Sequence, residues 1–268
     1  LINLDQSSRT NGQKEKVKVD NLESIGLEAV DNFITTFNSR DGGVWADTLH
    51  FPHVRPSPFG PIRVLPDKAS YVANFDYGPT IASGWDHSEW DYKHFLHKSP
   101  DKLHVAGQWS RYNQSGEKIL TTPIVYIVTL IEGRWGIQSR FGCDYSADDD
   151  VSSFETRVFR HYESFIHHYN NGNLEACAER LNYPHFRIDP GQVNQIVNPA
   201  EFRKNAEHIT VDSLIAVQTG RKSMNLAVEL TLDQAGTTAT RQGVINVTER
   251  DNHLGIQAIS LIDPNATE

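Results

Sequence analysis

Cysteine is scarce in this chain of 268 residues: Cys143 and Cys177 are the whole complement, too few for a disulfide framework and without metal-ligand spacing. Both read as ordinary thiols, the form a reducing, cytoplasmic setting maintains. Basic residues are also in short supply. Lys and Arg number 25 against 34 Asp and Glu, for a net charge of −9. Such a chain repels phosphate backbones, so no nucleic acid is expected as a partner. No apolar run approaches the roughly 18 residues of a spanning helix, so no membrane association is expected either. Residues 1–20 lack the charged-then-apolar order of a signal peptide. The chain does not begin with Met, which leaves room for a removed leader. A Gly-rich phosphate loop, a Gly-x-Ser-x-Gly elbow and a Cys–His nucleophile pattern are all missing, and no cofactor is expected. The histidine pairs His50/His53, His94/His97 and His167/His168 do not converge at their spacings on strands or a helix, so no metal site is expected.

What is present is enough for packed cores: 38% hydrophobic residues, with twelve Phe, nine Tyr and five Trp. It is also repeated. Leu49-His-Phe-Pro-His-Val-Arg55 reads against Leu181-Asn-Tyr-Pro-His-Phe-Arg187. In the same register Phe33, Ile34, Phe37 and Asn38 match Phe165, Ile166, Tyr169 and Asn170. Farther on, Gln114-Ser-Gly116 matches Gln234-Ala-Gly236, and Gly136-Ile-Gln138 matches Gly255-Ile-Gln257. Four matches in one order imply a tandem duplication.

Each copy has the same course of elements. Val30, Phe33, Ile34 and Phe37 lie at i, i+3, i+4 and i+7, the stripe of an amphipathic helix, and Phe159, Tyr162, Phe165, Ile166 and Tyr169 repeat it. Asp41-Gly-Gly43 and Asn170-Asn-Gly172 end these helices. Short second helices are predicted at 45–49 and 174–181, and third helices at 67–74 and 199–208. The Pro-His-x-Arg segments lie between them, where Pro suits a strand edge or start. Four strands then follow, at 85–98, 102–112, 119–130 and 135–141, and again at 209–218, 223–232, 238–249 and 254–262. The domain limits expected are a flexible segment 1–22, a first domain 23–143, a linker 144–153 with the acidic run Asp148–Asp150, a second domain 154–263 and a tail 264–268.

Two or three helices followed by a long curled antiparallel sheet, with Phe51-Pro-His-Val-Arg55, His87-Ser-Glu-Trp90 and Gly133-Arg-Trp-Gly-Ile-Gln138, resemble the nuclear transport factor two-like superfamily. This is the SnoaL-like, cystatin-like α+β cone, which also hosts ketosteroid isomerases and limonene epoxide hydrolases. The resemblance covers residues 23–142 and 155–263. It implies a tandem duplication of a cone-shaped fold, each copy with N-terminal helices packed on a strongly curved antiparallel sheet around an apolar pocket. It also implies that the two copies meet through their sheets as an intramolecular pseudo-dimer, open to further homodimerisation. The ketosteroid isomerase mechanism does not carry over. Its carboxylate after the second helix is replaced here by His53 and Arg55, and its first-helix Tyr by Phe33 and Phe37. Arg111 or Arg140 with Asp86 could mimic the Arg–Asp arrangement of the epoxide hydrolases.

Strand parity places Asp86, Ser88, Trp90, Tyr92 and Leu96 on one face of strand 85–98, with Phe95 out of pattern and a bulge able to reverse part of the assignment. Phe51, His53 and Arg55 share a face. His53 suits general acid–base work near neutral pH. Arg55 suits an anion or a developing oxyanion. Asp86 could orient His53 or act as base itself, and Ser88 would assist. The other reading is structural: both copies keep Pro-His-x-Arg, His185 and Arg187 included, as a bonded loop below the cone. All five tryptophans fall in the first copy. Trp90, Trp109, Tyr92 and Tyr126 are therefore the expected pocket lining, and the ligand a small, partly apolar molecule. Two functions stay open. One is a cofactor-independent isomerase, lyase or hydrolase acting by proton transfer in the first cone; the other is a non-catalytic ligand-binding or association scaffold.

Overall fold

The computed structural model describes residues 7–56, 62–145 and 150–267, without the side chains of residues 7–20. The first copy begins with α1 (Ser7–Asn38), which reaches back through the segment expected to precede the domain. Its buried stripe is the one read from the sequence, Val30, Phe33, Ile34 and Phe37. Then come α2 (Gly42–Ala46), β1 (Leu49–Arg55), β2 (Arg63–Leu65), α3 (Lys68–Ala73) and α4 (Gly78–Ala82). Asp41 and Asp67 start α2 and α3, accepting from the backbone N–H groups of Gly43 and Val44 and of Ser70. Four long strands complete the copy: β3 (His87–Lys98), β4 (Lys102–Tyr112), β5 (Lys118–Ile131) and β6 (Arg134–Gly142).

The second copy repeats this course with α5 (Ser152–Asn170), α6 (Leu174–Ala178), β7 (Leu181–Asp189) and β8 (Gln192–Ile196). Its strands β9 (His208–Thr219), β10 (Ser223–Gln234), β11 (Thr237–Arg250) and β12 (His253–Ile262) follow. The third helix expected at 199–208 is reduced to one 3-10 turn, Pro199–Glu201. The short strands β2 and β8, and α4, were not foreseen, since three to five residues are too few to show a period. The sheets have matching orders, β2-β1-β6-β5-β4-β3 and β8-β7-β12-β11-β10-β9. In each, the Pro-His-x-Arg strand lies parallel to the last strand, and the register shifts between Leu49 and Val54 and between Leu181 and Phe186. Pro52 and Pro184 fall in those irregular stretches, inside strands rather than at their starts, where a missing N–H removes no regular ladder bond.

Each copy closes its own core between helices and the concave face of its sheet. The first is rich in aromatics (Phe33, Phe37, Trp45, Tyr71, Trp109, Tyr126). The second is mostly aliphatic along its strands (Leu226, Val228, Leu230, Ile245, Val247). A third apolar layer joins the outer faces of the two sheets, with Val54, Ala106, Val125, Ile127 and Phe141 against Phe186, Ile188, Val244 and Ala258. Polar groups lock it. Lys102 Nζ donates to the carbonyls of Ile188 (2.9 Å) and Leu261 (2.8 Å), and Gln218 Nε2 to that of Gly107 (2.8 Å). The linker meets the same seam: Asp144 accepts from the N–H groups of Arg221 and Lys222 and from the Ser223 hydroxyl. Of the acidic run, Asp148 and Asp149 lie outside the described residues. No described helix is long and apolar enough to cross a membrane.

Candidate functional site

The two Pro-His-x-Arg segments do one job in common. His53 Nδ1 lies 3.1 Å from the Ile137 carbonyl oxygen and His185 Nδ1 lies 3.0 Å from that of Ile256. A carbonyl only accepts, so each ring carries its proton on Nδ1 and ties its strand to the last strand of the sheet. Both rings are buried, and burial lowers their pKa, that of His185 to about 4 and that of His53 well below 6.5. In the first copy the Arg140 and Arg55 charges lower it further. Changing either histidine to alanine leaves a buried carbonyl without its donor and a cavity besides. About 2–4 kcal/mol of stability is expected to go in each case, as read by urea unfolding. A drop confined to the His53 variant would contradict the shared structural role.

The catalytic pair expected from the sequence does not assemble. Asp86 sits just before β3 at the surface, where its carboxylate meets His87 Nδ1 at 2.9 Å and Arg40 at 3.8 Å. His53 is engaged elsewhere: its Nε2 accepts from Arg140 Nε at 3.2 Å. Ser88 is buried, and its hydroxyl accepts from Trp85 Nε1 at 3.0 Å, which makes it a packing group. Tyr92 is no pocket residue. A bulge at Asp91 lets Trp90 face Trp109 while Tyr92 faces Gln108, so side chains beyond the bulge swap faces. Phe95 then joins the core, and Leu96 joins the layer between the sheets. Trp90 does face inward, lying over Gly107, where an added Cβ would come within 2.7 Å of its ring, and edge-on to Tyr126 at 5.8 Å.

What the first cone does bring together is arginine and aromatic rings. Arg55 from β1 and Arg140 from β6 line one cavity of about 340 Å³ with Trp109, Thr122 and Ile124. Arg55 also borders a neighbouring cavity of about 420 Å³ with Arg63, Tyr71 and Phe75. The Arg140 guanidinium lies 4.7 Å from the Phe33 ring and 5.5 Å from the Trp45 ring. Arg111 stacks over Phe37 (5.5 Å) and Trp109 (5.6 Å). Among the described residues, none of these three arginines has a carboxylate within ion-pair reach. Asp144 does line the cavity, but its oxygens are engaged with Ser223 and with the backbone of Arg221 and Lys222. The nearby Arg140 charge, with burial, pulls Arg55 down to about 9. Among the described residues, Trp45 Nε1, Trp90 Nε1, Trp109 Nε1, Arg111 Nε and the Tyr126 hydroxyl of this copy are buried without a hydrogen-bond partner.

The second cone gives the internal control. The sheet registers pair Tyr126 with Arg140 and Ile245 with Ile259, and likewise Arg111 with Leu120 and Leu232 with Ala239. Ile245, Ile259, Leu230 and Leu232 thus stand where the first copy has Tyr126, Arg140, Trp109 and Arg111. Arg187, the counterpart of Arg55, turns to the surface and pairs with Asp189 at 3.1 Å. From the sequence, Arg140 reads only as a partner for Asp86. The signal that marks it is this mismatch between repeats, a charge in one copy at an aliphatic core position of the other.

No protein-family model matches the sequence, and no curated protein matches it. Solved structures do. The association domain of the calcium/calmodulin dependent protein kinase II of C. elegans is 13% identical, over 42% of this chain and 98% of its own, with a TM-score of 0.34. An NTF2-like protein of unknown function from Pseudomonas putida is 6% identical, over 44% and 91%, at 0.37. A protein of unknown function with a cystatin-like fold from Nostoc punctiforme is 13% identical, over 46% and 88%, at 0.36. Each match spans a little under half of this chain, about the share of one copy. The chain is a tandem duplication of the α+β cone, similar in fold to the nuclear transport factor two-like proteins.

Proposed function

We propose that the first cone binds a small organic anion with an apolar body, and that the second cone, with Ile259 and Leu232 in place of Arg140 and Arg111, serves as a structural partner. One observation carries this reading: Arg55 and Arg140 face one cavity, the Arg140 charge lowers the proton affinity of Arg55, and neither has a paired carboxylate among the described residues. A buried and a half-buried guanidinium that share one cavity repel each other, and an anion between them removes that repulsion. Trp109, Leu120 and Ile124 of the cavity wall supply apolar surface for the rest of the ligand. The binding reading is favoured over proton transfer, because His53 has both ring nitrogens engaged and Asp86 lies outside the cavity.

All five tryptophans lie in the first copy and Trp109 borders the cavity, so intrinsic fluorescence reports on this cone alone. Titration with benzoate and short-chain carboxylates is expected to change the tryptophan emission with saturation. The matching amides are expected to leave it unchanged. Equal responses to acids and amides, or none at millimolar concentration, would contradict the proposal.

A further inference from the structure

The number of uncompensated charges says more about the ligand than the presence of an arginine does. Given the first cone as an anion site, its charge and donors set the class of anion. Arg55 and Arg140 issue from neighbouring strands, β1 and β6, whose register brings Val54 opposite Ser139, so the two guanidiniums start one residue beyond a paired position. The cavity they share also carries Arg221 from the turn between β9 and β10 of the second copy, and Asp144. Among the described residues, taking Asp144 against Arg221 leaves the two charges of Arg55 and Arg140 in excess. Arg63 on the far side of Arg55 adds a third positive charge rather than offsetting one. A single carboxylate would leave one of the two guanidiniums unmatched.

Arg140 is also restricted in what it can offer. Its Nε donates to His53, and one terminal nitrogen lies 3.5 Å from the Tyr71 hydroxyl. It therefore meets a ligand through the other terminal nitrogen and the remaining N–H, while Arg55 brings its own fork. Two separate donor sets on one wall suit two acceptor pairs carrying two charges. At about 340 Å³ the cavity lies at the low end for small-ligand sites, which limits the body to a short chain or one ring.

We infer that the physiological ligand of the first cone is a doubly charged small anion, either a short dicarboxylate or a phosphomonoester. His53 then acts as a positioning residue, holding Arg140 Nε so that the guanidinium faces the cavity. The second copy takes part, since its Arg221 turn borders the same cavity.

The test is calorimetric titration of the full chain with three probes of similar size: butyrate, succinate and O-phosphoglycolic acid methyl ester, whose charge sits on one phosphate. Succinate or the phosphomonoester is expected to bind at least 30-fold more tightly than butyrate. Arg55→Gln is expected to shrink that preference to under threefold while still binding butyrate. Preference for succinate assigns the dicarboxylate, and preference for the phosphate assigns the monoester. Equal affinity for all three would overturn the two-charge inference and leave the anion site standing. No binding of any probe would overturn the anion site itself. Circular dichroism and urea unfolding of Arg55→Gln establish that a lost preference is not a lost fold.

Discussion

Lowering the pH from 7 to 5 is expected to remove much of the protein's stability, well above the range where carboxylates protonate. His50, His97 and His185 are buried with their pKa pushed down to about 4, chiefly by burial, and His53 and His104 are lowered well below 6.5. Each is held neutral by its surroundings. His97 and His104 face one another, Nδ1 to Nδ1, at 3.1 Å between the sheets, and His104 Nε2 meets the Ser260 hydroxyl at 2.9 Å. His50 Nδ1 meets the Thr129 hydroxyl at 2.9 Å, with the Arg134 charge also opposing protonation. In the unfolded chain these rings take up protons below about pH 6.5, whereas in the folded chain His50, His97 and His185 do not until about pH 4, and His53 and His104 stay neutral well below 6.5. Between those values the unfolded state binds more protons, so stability rises with pH there and falls on acidification. Each ring contributes up to about 1.4 kcal/mol per pH unit. The three with pKa values near 4 together contribute on the order of 6 kcal/mol between pH 7 and 5, comparable with the whole stability of an ordinary domain. Urea midpoints measured from pH 8 to 4.5 are expected to be flat above pH 7 and to fall steeply below 6.5. A profile flat down to pH 5 would show that these rings are not neutral and buried as described.

Arg140→Leu is expected to cost the site far more than the fold. Losing one guanidinium from a buried anion contact removes about 2–5 kcal/mol of binding, a loss of roughly 30-fold to several thousand-fold. The free protein loses the contacts of Arg140 with Phe33, Trp45 and His53, but it also loses the repulsion with Arg55. An aliphatic side chain already fills the equivalent place in the second copy, at Ile259. Stability is therefore expected to change by no more than about 1–2 kcal/mol in either direction. Arg140→Lys is expected to bind nearly as poorly, because an ammonium cannot hold His53 and a ligand at once with one planar fork. Paired urea unfolding and calorimetry on both variants separate the two effects. A variant that unfolds on substitution, or binds as before, would contradict this account of Arg140.

The duplication and the strand course could be read from the chain because long, alternating strands repeat a pattern over ten or more residues. The extents of β4 and of its counterpart's start at Ser223 match the sequence expectation. Three kinds of feature escaped. The edge strands β2 and β8 are too short to show a period. The third helix of the second copy, promised by Pro199 at a first turn, stops after one turn. The bulge at Asp91 leaves no compositional mark, yet it moved Tyr92 out of the pocket and Phe95 in. The site suffered most from the preference for His53 with Asp86. That pair has the right chemistry, but His53 is held by a backbone carbonyl that only the parallel pairing of β1 with β6 brings near. Arg140 was visible as a residue and became legible as a site only when the register set it against Ile259.

One copy carries an arginine-lined cavity, and the other has aliphatic side chains in place of Arg140 and Arg111. Equilibrium dialysis of the full chain with a radiolabelled anion, succinate or the phosphomonoester according to the titration, counts sites directly. One anion per chain, lost in Arg140→Leu and retained in Arg187→Leu, is the predicted result. Two anions per chain, or loss of binding in Arg187→Leu with retention in Arg140→Leu, would contradict it.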